Sequence, residues 1–351
     1  MLEVAVKSKR LVFASRGACI LEEAGISSPG FGEVLVEAAF STLSPGTERS
    51  LMLGKFKPLP LNAGYSMAGR IAKVGEGVSG LAEGDAVVTT GPHASHFIAD
   101  ARFVTPVPAN VDLAHAAFFN LAHTAIFGVR QAKIQLGEPV LVIGQGLVGL
   151  LAAKFAKLSG ALPVIGVDLS EERLGVSENF GIPVRINAND EGALTRACDE
   201  LPGGGPAAVL EVTGALAPIE QATRLVRKRG RVVLLASPNR DDPIDVYRAL
   251  SFKGASLVGA YVNAKPWSLL ETNVELKGWP PNLADGYAPH VSGNVWTSDD
   301  DVRVFLNALR YGALDLAPLI SHQVNPEGAP ELYDLVYRGD PELLGGIINW
   351  S

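Results

Sequence analysis

The sequence predicts an α/β protein that combines a mostly-β part with a doubly wound parallel sheet. Short strand-like runs, separated by glycine- and proline-rich turns, occupy residues 1 to about 125. From Pro139 onward, apolar runs alternate with helical segments, which is typical of a parallel sheet joined by crossover helices. The 351 residues are enough for two domains, each with its own core.

The strands of the first part are short and bounded by turns such as SSPGFGE, GEGVSG and AEGD. Val34–Glu37 and Ile71–Val74 are examples that are rich in strand-favouring residues. The pattern changes near Asp112, because this residue can cap a helix and the following AHTAIFGVRQA segment also has a helical pattern.

The second part contains four apolar runs that we expect to be strands buried on both faces: PVLVIG, LPVIGVD, AAVLEV and GRVVLLA. LVGLLAAKFAKLSG and APIEQATRLVRKRG supply crossover helices that each end at a glycine. We therefore expect the doubly wound domain at residues 129–262, and a discontinuous domain formed by residues 1–128 and 263–351. The last run, GGIINW, is expected to pair back into that discontinuous domain as a strand.

The composition argues against a nucleic-acid or membrane partner. The formal net charge is −7, and the one dense basic run, Arg224–Arg231, is interleaved with apolar residues, as at the solvated end of a helix. The two cysteines, Cys19 and Cys198, lie far apart, which excludes a disulfide framework and a Cys-rich zinc site. No run suits a signal peptide or a membrane span, so we expect a cytoplasmic protein.

A dinucleotide-binding motif lies between the first strand and the first helix of the second part. Gly144, Gly146 and Gly149 have the G-x-G-x-x-G spacing. In that motif the first glycine permits a tight turn, the second admits the pyrophosphate, and the third allows close helix–strand packing. The phosphates are expected at the helix N-terminus, on the N–H groups of Leu147 and Val148.

Asp168 ends the next strand, 19 residues after Gly149, where a carboxylate can accept hydrogen bonds from the adenosine ribose. Its charge would repel the 2′-phosphate of NADP, and the nearby cation, Arg173, lies five residues further on. The sequence therefore favours NAD. The alternative is that Asp168 caps the following helix.

The order of these parts, together with one long motif, resembles the medium-chain dehydrogenase/reductase superfamily. The motif starts at Gly64 and Gly69, passes through Gly75 and Val78, and ends at Gly84–Asp85. The resemblance implies a GroES-like catalytic domain that is split around a Rossmann domain. It also implies hydride transfer between an alcohol and a nicotinamide cofactor, and a homodimer.

Zinc-dependent members of that superfamily bind their catalytic metal through three positions. Here these positions look like Ser44–Pro45, Tyr65 and Asn120, and zinc prefers none of these side chains. The resemblance is therefore to a zinc-free member, and no metal ligand is expected. STLSPGTERSLMLGKF and DPELLGGIINW are similar to the branch that contains bacteriochlorophyllide a dehydrogenase, whose substrate is not carried over.

Without zinc, a side chain must carry the hydroxyl proton. Tyr65 can do so through its phenolic hydroxyl. A structural role, as an aromatic ring packed between two glycines, accounts for this residue equally well. Glu48 either orients a substrate hydroxyl or closes a local turn. His93 and His96 lie three residues apart on an expected strand, so only one is expected to face the active-site cleft. We favour His93, with a surface histidine as the alternative.

Two further features bear on cofactor and substrate. His123 stands beside Thr124, where members of the superfamily contact the nicotinamide half, so this pair is expected to position the cofactor. The segment 265–297 contains Trp267, Trp279 and Trp296. It either stacks against a ring-shaped substrate or packs as an insertion.

Three functions are compatible with the sequence. The first is a zinc-independent, NAD-dependent dehydrogenase of a secondary alcohol that is cyclic or polyhydroxylated. The second is a quinone or enoyl reductase, which Asp168 disfavours because the resemblance implies that such enzymes mostly use NADPH. The third is a catalytically silent dinucleotide-binding protein.

Overall fold

The computed structural model describes residues 4–55, 57–236, 250–268 and 296–351. The chain divides into two units, Met1–Leu121 together with Pro266–Ser351, and Ala122–Lys265. The first contains mostly antiparallel sheets and the second a parallel sheet, which confirms the predicted α/β class with one Rossmann-type and one mostly-β domain. The middle of the Trp-rich segment, including Trp279, lies outside the described residues.

The described strands include the four expected in the second part and two that were not singled out, Val184–Asn187 and Ser256–Gly259. The strands are β1 (Val4–Ser15), β2 (Ala18–Ser27), β3 (Glu33–Thr42), β4 (Leu61–Asn62), β5 (Met67–Val74), β6 (Ala86–Thr89), β7 (His96–Asp100), β8 (Val104–Pro106), β9 (Val140–Ile143), β10 (Val164–Asp168), β11 (Val184–Asn187), β12 (Ala208–Glu211), β13 (Arg231–Leu234), β14 (Ser256–Gly259), β15 (His322–Val324) and β16 (Gly346–Asn349). The helices are α1 (Pro45–Met52), α2 (Leu113–Ala116), α3 (Phe119–Ala132), α4 (Leu147–Leu158), α5 (Glu171–Asn179), α6 (Glu191–Asp199), α7 (Leu216–Leu225), α8 (Ser298–Arg310) and α9 (Ala329–Arg338). Among these described helices, none is long and apolar enough to cross a membrane.

In the first unit, β15, β16, β3, β5, β6 and β8 form one sheet in that order, and β7 also pairs with β3. β16 lies antiparallel to β3, with Ile347 opposite Thr42, so the final segment of the chain returns to this unit as the sequence predicts. The inward-facing residues of β3, β5 and β7, which include Val36, Ile71 and Phe97, form an apolar core. A smaller sheet is formed by β2, β1 and β4, in that order.

A second core of the first unit lies around α1 and α9. Phe13 of β1, Met52 of α1 and Tyr333 of α9 belong to it, and none of the three side chains is exposed. The Phe13 and Tyr333 rings meet edge to face at 5.1 Å between centroids, a favoured aromatic geometry. This packing brings α1 and α9 together, although they are far apart in the sequence.

The parallel sheet of the second unit has the strand order β11, β10, β9, β12, β13, β14. The chain passes from β9 to β10 on one side, and later places β12 on the other side of β9. The strand order therefore reverses at β9, and in doubly wound folds ligands bind at the carboxyl ends of the strands beside such a point. Every residue of β9 and β12 is buried, as expected for strands covered on both faces.

Candidate active site

The glycine-rich turn of the second unit connects β9 to α4. Gly144 has φ +99°, and its N–H donates to the Val167 carbonyl at 2.8 Å. A Cβ on Gly149 would lie 1.8 Å from the Gly144 carbonyl oxygen, so only glycine permits this close packing. A Cβ on Gly146 would meet nothing within 4 Å, which leaves open space beside the N-terminus of α4.

The residue between the first two glycines ties the turn to the neighbouring strand. The Gln145 N–H donates to Asp168 Oδ2 at 2.6 Å, and its side-chain Nε2 donates to the Val142 carbonyl at 3.0 Å. Its Oε1 accepts a hydrogen bond from Ser177 Oγ at 3.0 Å. The glycine at position 166 makes room for this side chain, because a Cβ there would lie 2.9 Å from Gln145 Oε1.

Asp168 is the last residue of β10, and its side chain is 9% exposed. Its Oδ1 accepts the Ser170 N–H at 3.0 Å, and Ser170, not Asp168, is the N-cap of α5. Arg173 Nη1 is 3.9 Å from Asp168 Oδ2. A carboxylate has about four acceptor positions, so after two N–H contacts it retains capacity for the hydroxyls of a ribose.

These features fit a dinucleotide. The first N–H groups of α4, at Leu147 and Val148, have no acceptor within their own helix, as at every helix N-terminus. They can bind a pyrophosphate, and Gly146 leaves space for it. The donor turn, the open space and the carboxylate at the end of β10 are the three parts that such a cofactor requires.

A further acidic residue at this edge of the sheet was not singled out by the sequence. Glu211 is the last residue of β12 and is fully buried, and burial raises the pKa of its carboxyl. It accepts the Thr213 N–H at 2.7 Å and the Gly214 N–H at 3.2 Å. Glu211 thus holds the turn at Thr213 and Gly214. This turn packs closely on Gly144, where an added Cβ would lie 3.0 Å from Thr213 Cγ2. The signal for it is the same as for Asp168, an acid that ends an apolar strand.

His123 and Thr124 lie side by side in α3. His123 is 4% exposed, and burial, followed by the positive charge of Lys265, lowers its pKa to about 3. Its imidazole is therefore neutral at ordinary pH and cannot alternate between two protonation states there. Thr124 is partly exposed.

In the first unit, a buried polar cluster surrounds Glu48 of α1. Its carboxylate has no exposed surface. Oε1 accepts the Ser44 N–H at 2.8 Å. Oε2 accepts the hydroxyl hydrogen of Tyr333 and lies 3.3 Å from His93 Nε2. Glu48 therefore joins three segments that are far apart in the sequence.

His93 lies beneath the turn that contains Gly64, and it also has no exposed surface. Gly64 has φ +88°, and a Cβ there would lie 2.4 Å from His93 Cγ, so this position requires glycine. The expectation that His93 shares a strand with His96 is wrong, because β7 begins at His96. Among the described residues, His93 Nδ1 has no hydrogen-bond partner. Neither the His93 nor the Glu48 side chain is therefore accessible from solvent in this structure.

Tyr65 directly follows Gly64 and is the partly exposed member of this group. Burial, and next the negative charge of Glu48, raise the pKa of its phenol to about 12, although hydrogen bonds from the side chains of Ser44 and Thr47 oppose this shift. The phenol is therefore protonated at ordinary pH and can donate a hydrogen bond. Asn120 Nδ2 donates to the Tyr65 carbonyl at 3.3 Å.

The side chains at the family's zinc positions do not fit zinc. Ser44 and Tyr65 carry hydroxyls, Pro45 has no donor atom, and Asn120 carries an amide, whereas zinc takes thiolate, imidazole or carboxylate ligands. Glu48 and His93, the nearby residues of the right types, contact each other within the buried cluster. In the part of the chain that the structure describes, no group of three His, Cys, Asp or Glu side chains could hold a metal ion.

The other residue that the sequence did not single out is Tyr333. The ELYDLVYRG segment has a helical pattern, and it forms part of α9. Tyr333 lies on the buried face of this amphipathic helix. A buried tyrosine hydroxyl generally needs a hydrogen-bond partner, which is the signal that points to a polar contact.

Comparison with known proteins agrees with the fold. Residues 30–109 match the family model described as "Alcohol dehydrogenase GroES-like domain", and residues 148–276 match that described as "Zinc-binding dehydrogenase". These matches cover parts of both units, and together they span more than half of the chain.

Three proteins illustrate the similarity. A 2-dehydro-3-deoxy-L-galactonate 5-dehydrogenase of Pseudoalteromonas atlantica is 27% identical over 67% of this chain and 77% of its own. An L-threonine 3-dehydrogenase of Pyrococcus furiosus is 28% identical over 68% of this chain and 78% of its own. The structure of galactitol-1-phosphate dehydrogenase from Escherichia coli has a TM-score of 0.80 at 20% identity, covering 97% of this chain and 99% of its own. The chain therefore belongs to the medium-chain dehydrogenase/reductase superfamily.

Proposed function

We propose that this protein is an NAD-dependent dehydrogenase that oxidises a secondary alcohol to a ketone without zinc. The proposal depends on two features that occur together in this chain, an intact dinucleotide turn and three zinc positions without zinc ligands. The glycine-rich turn is bonded to an acidic residue at the end of the next strand, Asp168, whereas the side chains of Ser44, Tyr65 and Asn120 are not zinc ligands. We assign the cofactor to a domain of residues 129–262, and catalysis to residues 1–128 and 263–351.

The cofactor would be held by the turn and by the residues that follow it. We assign the pyrophosphate to Gly144, Gly146, Leu147, Val148 and Gly149, the adenosine ribose to Asp168 beside Arg173, and the nicotinamide half to Thr124. When bound, the nicotinamide ring supplies a hydride acceptor. The buried, anionic environment at Asp168 disfavours a 2′-phosphate, which supports NAD over NADP.

We assign proton transfer to Tyr65, and a supporting role to Glu48 and His93. In ketone reduction the phenol would give its proton to the ketone oxygen as the carbon receives the hydride, and in alcohol oxidation the phenolate would take the hydroxyl proton as the hydride leaves the carbon. Because the pKa of the phenol is raised to about 12, oxidation would proceed through the minor, deprotonated form at neutral pH. Glu48 and His93 are buried, so they would hold the surroundings of Tyr65 and would not contact substrate. This assignment needs no metal to acidify the alcohol.

The names of the similar proteins suggest the substrate class. They are called dehydrogenases of L-threonine, of a deoxygalactonate and of galactitol 1-phosphate. We therefore propose that the substrate is a secondary alcohol that carries neighbouring polar groups, such as a polyol.

We also propose a homodimer, which light scattering of the purified protein would test.

The proposal is tested by mixing the purified protein with NAD and a panel that contains butane-2,3-diol, galactitol, myo-inositol and L-threonine. NADH absorbance that increases with time supports it. Consumption of NADPH with enones or quinones, and no oxidation of the alcohols, would replace it with the reductase function. If the protein binds NADH but turns over neither the alcohols nor the enones and quinones, the function would be that of a catalytically silent dinucleotide-binding protein.

Replacing Asp168 by serine is expected to remove the preference for NAD. The carboxylate no longer repels a 2′-phosphate, so the ratio of the NADPH and NADH dissociation constants should change in favour of NADPH by about tenfold or more, equivalent to about 1.4 kcal/mol. Fluorescence titration with the two reduced cofactors measures this ratio. Asp199→Ser, at an exposed acid of the same unit, is the matched control. An unchanged ratio in Asp168→Ser would contradict the assignment.

A further inference from the structure

A tyrosine on α9 hydrogen-bonds the carboxylate that organises the first turn of α1. Tyr333 has no exposed surface, and its hydroxyl donates to Glu48 Oε2. The other oxygen of the same carboxylate accepts the Ser44 N–H at 2.8 Å. One buried carboxylate therefore connects Tyr333 to the residue that begins α1.

The same carboxylate is also linked to the segment that carries Tyr65. Glu48 Oε2 lies 3.3 Å from His93 Nε2. The His93 ring packs beneath Gly64, where an added Cβ would lie 2.4 Å from His93 Cγ, and Tyr65 is the next residue. A displacement of the Glu48 carboxylate would therefore disturb the ring against which the backbone before Tyr65 packs.

We propose that Tyr333 is a positioning residue for Tyr65, because its hydrogen bond to Glu48 holds that carboxylate beside His93, and the His93 ring supports the backbone at Gly64 and Tyr65. The inference rests on the proposed function, in which Tyr65 carries the proton. Tyr333 acts through Glu48 and contacts no reacting atom.

The hydroxyl of Tyr333 has this role separately from its ring. The ring packs edge to face on Phe13, and this contact remains when tyrosine is replaced by phenylalanine. The loss of the hydroxyl leaves a buried carboxylate short of one donor, with only Ser44 N–H and His93 still close to it. A buried charge that loses a hydrogen-bond partner has a high free energy in its original position. The carboxylate would therefore shift towards its remaining donors.

The test is a cycle of single and double variants that is assayed with NAD and the panel alcohol of highest rate, starting from butane-2,3-diol. Tyr333→Phe is expected to lower kcat about tenfold or more, since small errors in the position of a catalytic group carry costs of that size. The KM for NAD should remain unchanged. In a Tyr65→Phe background the same substitution should have little further effect. Tyr337→Phe, on the same helix, is the matched control and should leave kcat unchanged.

A second measurement does not depend on turnover. The Ser44 amide hydrogen, which is bonded to Glu48, should exchange with solvent about tenfold faster in Tyr333→Phe than in the wild type or Tyr337→Phe, if the hydrogen bond weakens by about 1.4 kcal/mol. Hydrogen exchange read by mass spectrometry over the segment 43–52 detects this difference. Unchanged exchange elsewhere in the chain shows that the effect is local.

The outcomes separate this inference from the proposed function. An equal loss of kcat from Tyr333→Phe in both backgrounds, or unchanged Ser44 exchange, would overturn the inference while the role of Tyr65 stands. Full activity in Tyr65→Phe alone would overturn the role of Tyr65, and with it the inference.

Discussion

Replacing Tyr65 by phenylalanine is expected to lower kcat by about 10²-fold or more, the usual contribution of a general acid or base. Phenylalanine keeps the ring, so the packing between Gly64 and the surrounding core is retained. Only the hydroxyl is lost. Steady-state kinetics with NAD and the preferred alcohol measures kcat, and titration with NADH is expected to show unchanged cofactor affinity.

The control for this variant is Tyr311→Phe, which removes a hydroxyl from a ring that is 74% exposed. It should leave kcat unchanged. If Tyr65→Phe retains the wild-type kcat, the phenol only fills space, and the proton must travel by another route. The two interpretations of Tyr65 that the sequence leaves open are thus separated by one substitution.

Replacing Gly149 by alanine is expected to destabilise the fold by about 2 kcal/mol or more, as overpacking of a tight contact does. The added Cβ would lie 1.8 Å from the Gly144 carbonyl oxygen, so the backbone of the turn must move. Chemical denaturation measures the free energy of unfolding. NADH binding should be lost as well, because the same turn would hold the phosphates.

Gly146→Ala is the matched control, and it separates packing from cofactor binding. The space around a Cβ at this position is open, so the free energy of unfolding should change by less than about 1 kcal/mol, the usual cost of alanine at an N-cap. NADH affinity should nevertheless decrease about tenfold or more, since the methyl group would occupy the space assigned to the pyrophosphate. A stable Gly146→Ala protein with unchanged NADH affinity would contradict the placement of the cofactor.

Most of the fold could be predicted from the sequence because its signals are local. Apolar runs such as Val140–Ile143, followed by a glycine turn and a helix, specify a parallel strand within about twenty residues. The glycine spacing specifies the turn, and Asp168 is found at the strand end where it was expected. Its alternative role as a helix cap is wrong, since Ser170 caps α5.

The buried cluster around Glu48 could not be predicted in the same way. Glu48, His93 and Tyr333 meet only because β1, α1 and α9 pack into one core, and no local pattern records this contact. A histidine that precedes a strand and a tyrosine on a helix face carry the same sequence signal whether or not they meet. His93 was expected on the same strand as His96, but that strand, β7, begins only at His96.

The central claim is that this member of the superfamily oxidises its alcohol without zinc. The most direct test is to measure metal content by mass spectrometry, and NADH formation from the preferred alcohol, before and after dialysis against a zinc chelator. We predict that the protein lacks stoichiometric zinc and that its rate is unchanged by the chelator. One zinc ion per chain, with a rate that falls on chelation and recovers on addition of zinc, would contradict the account.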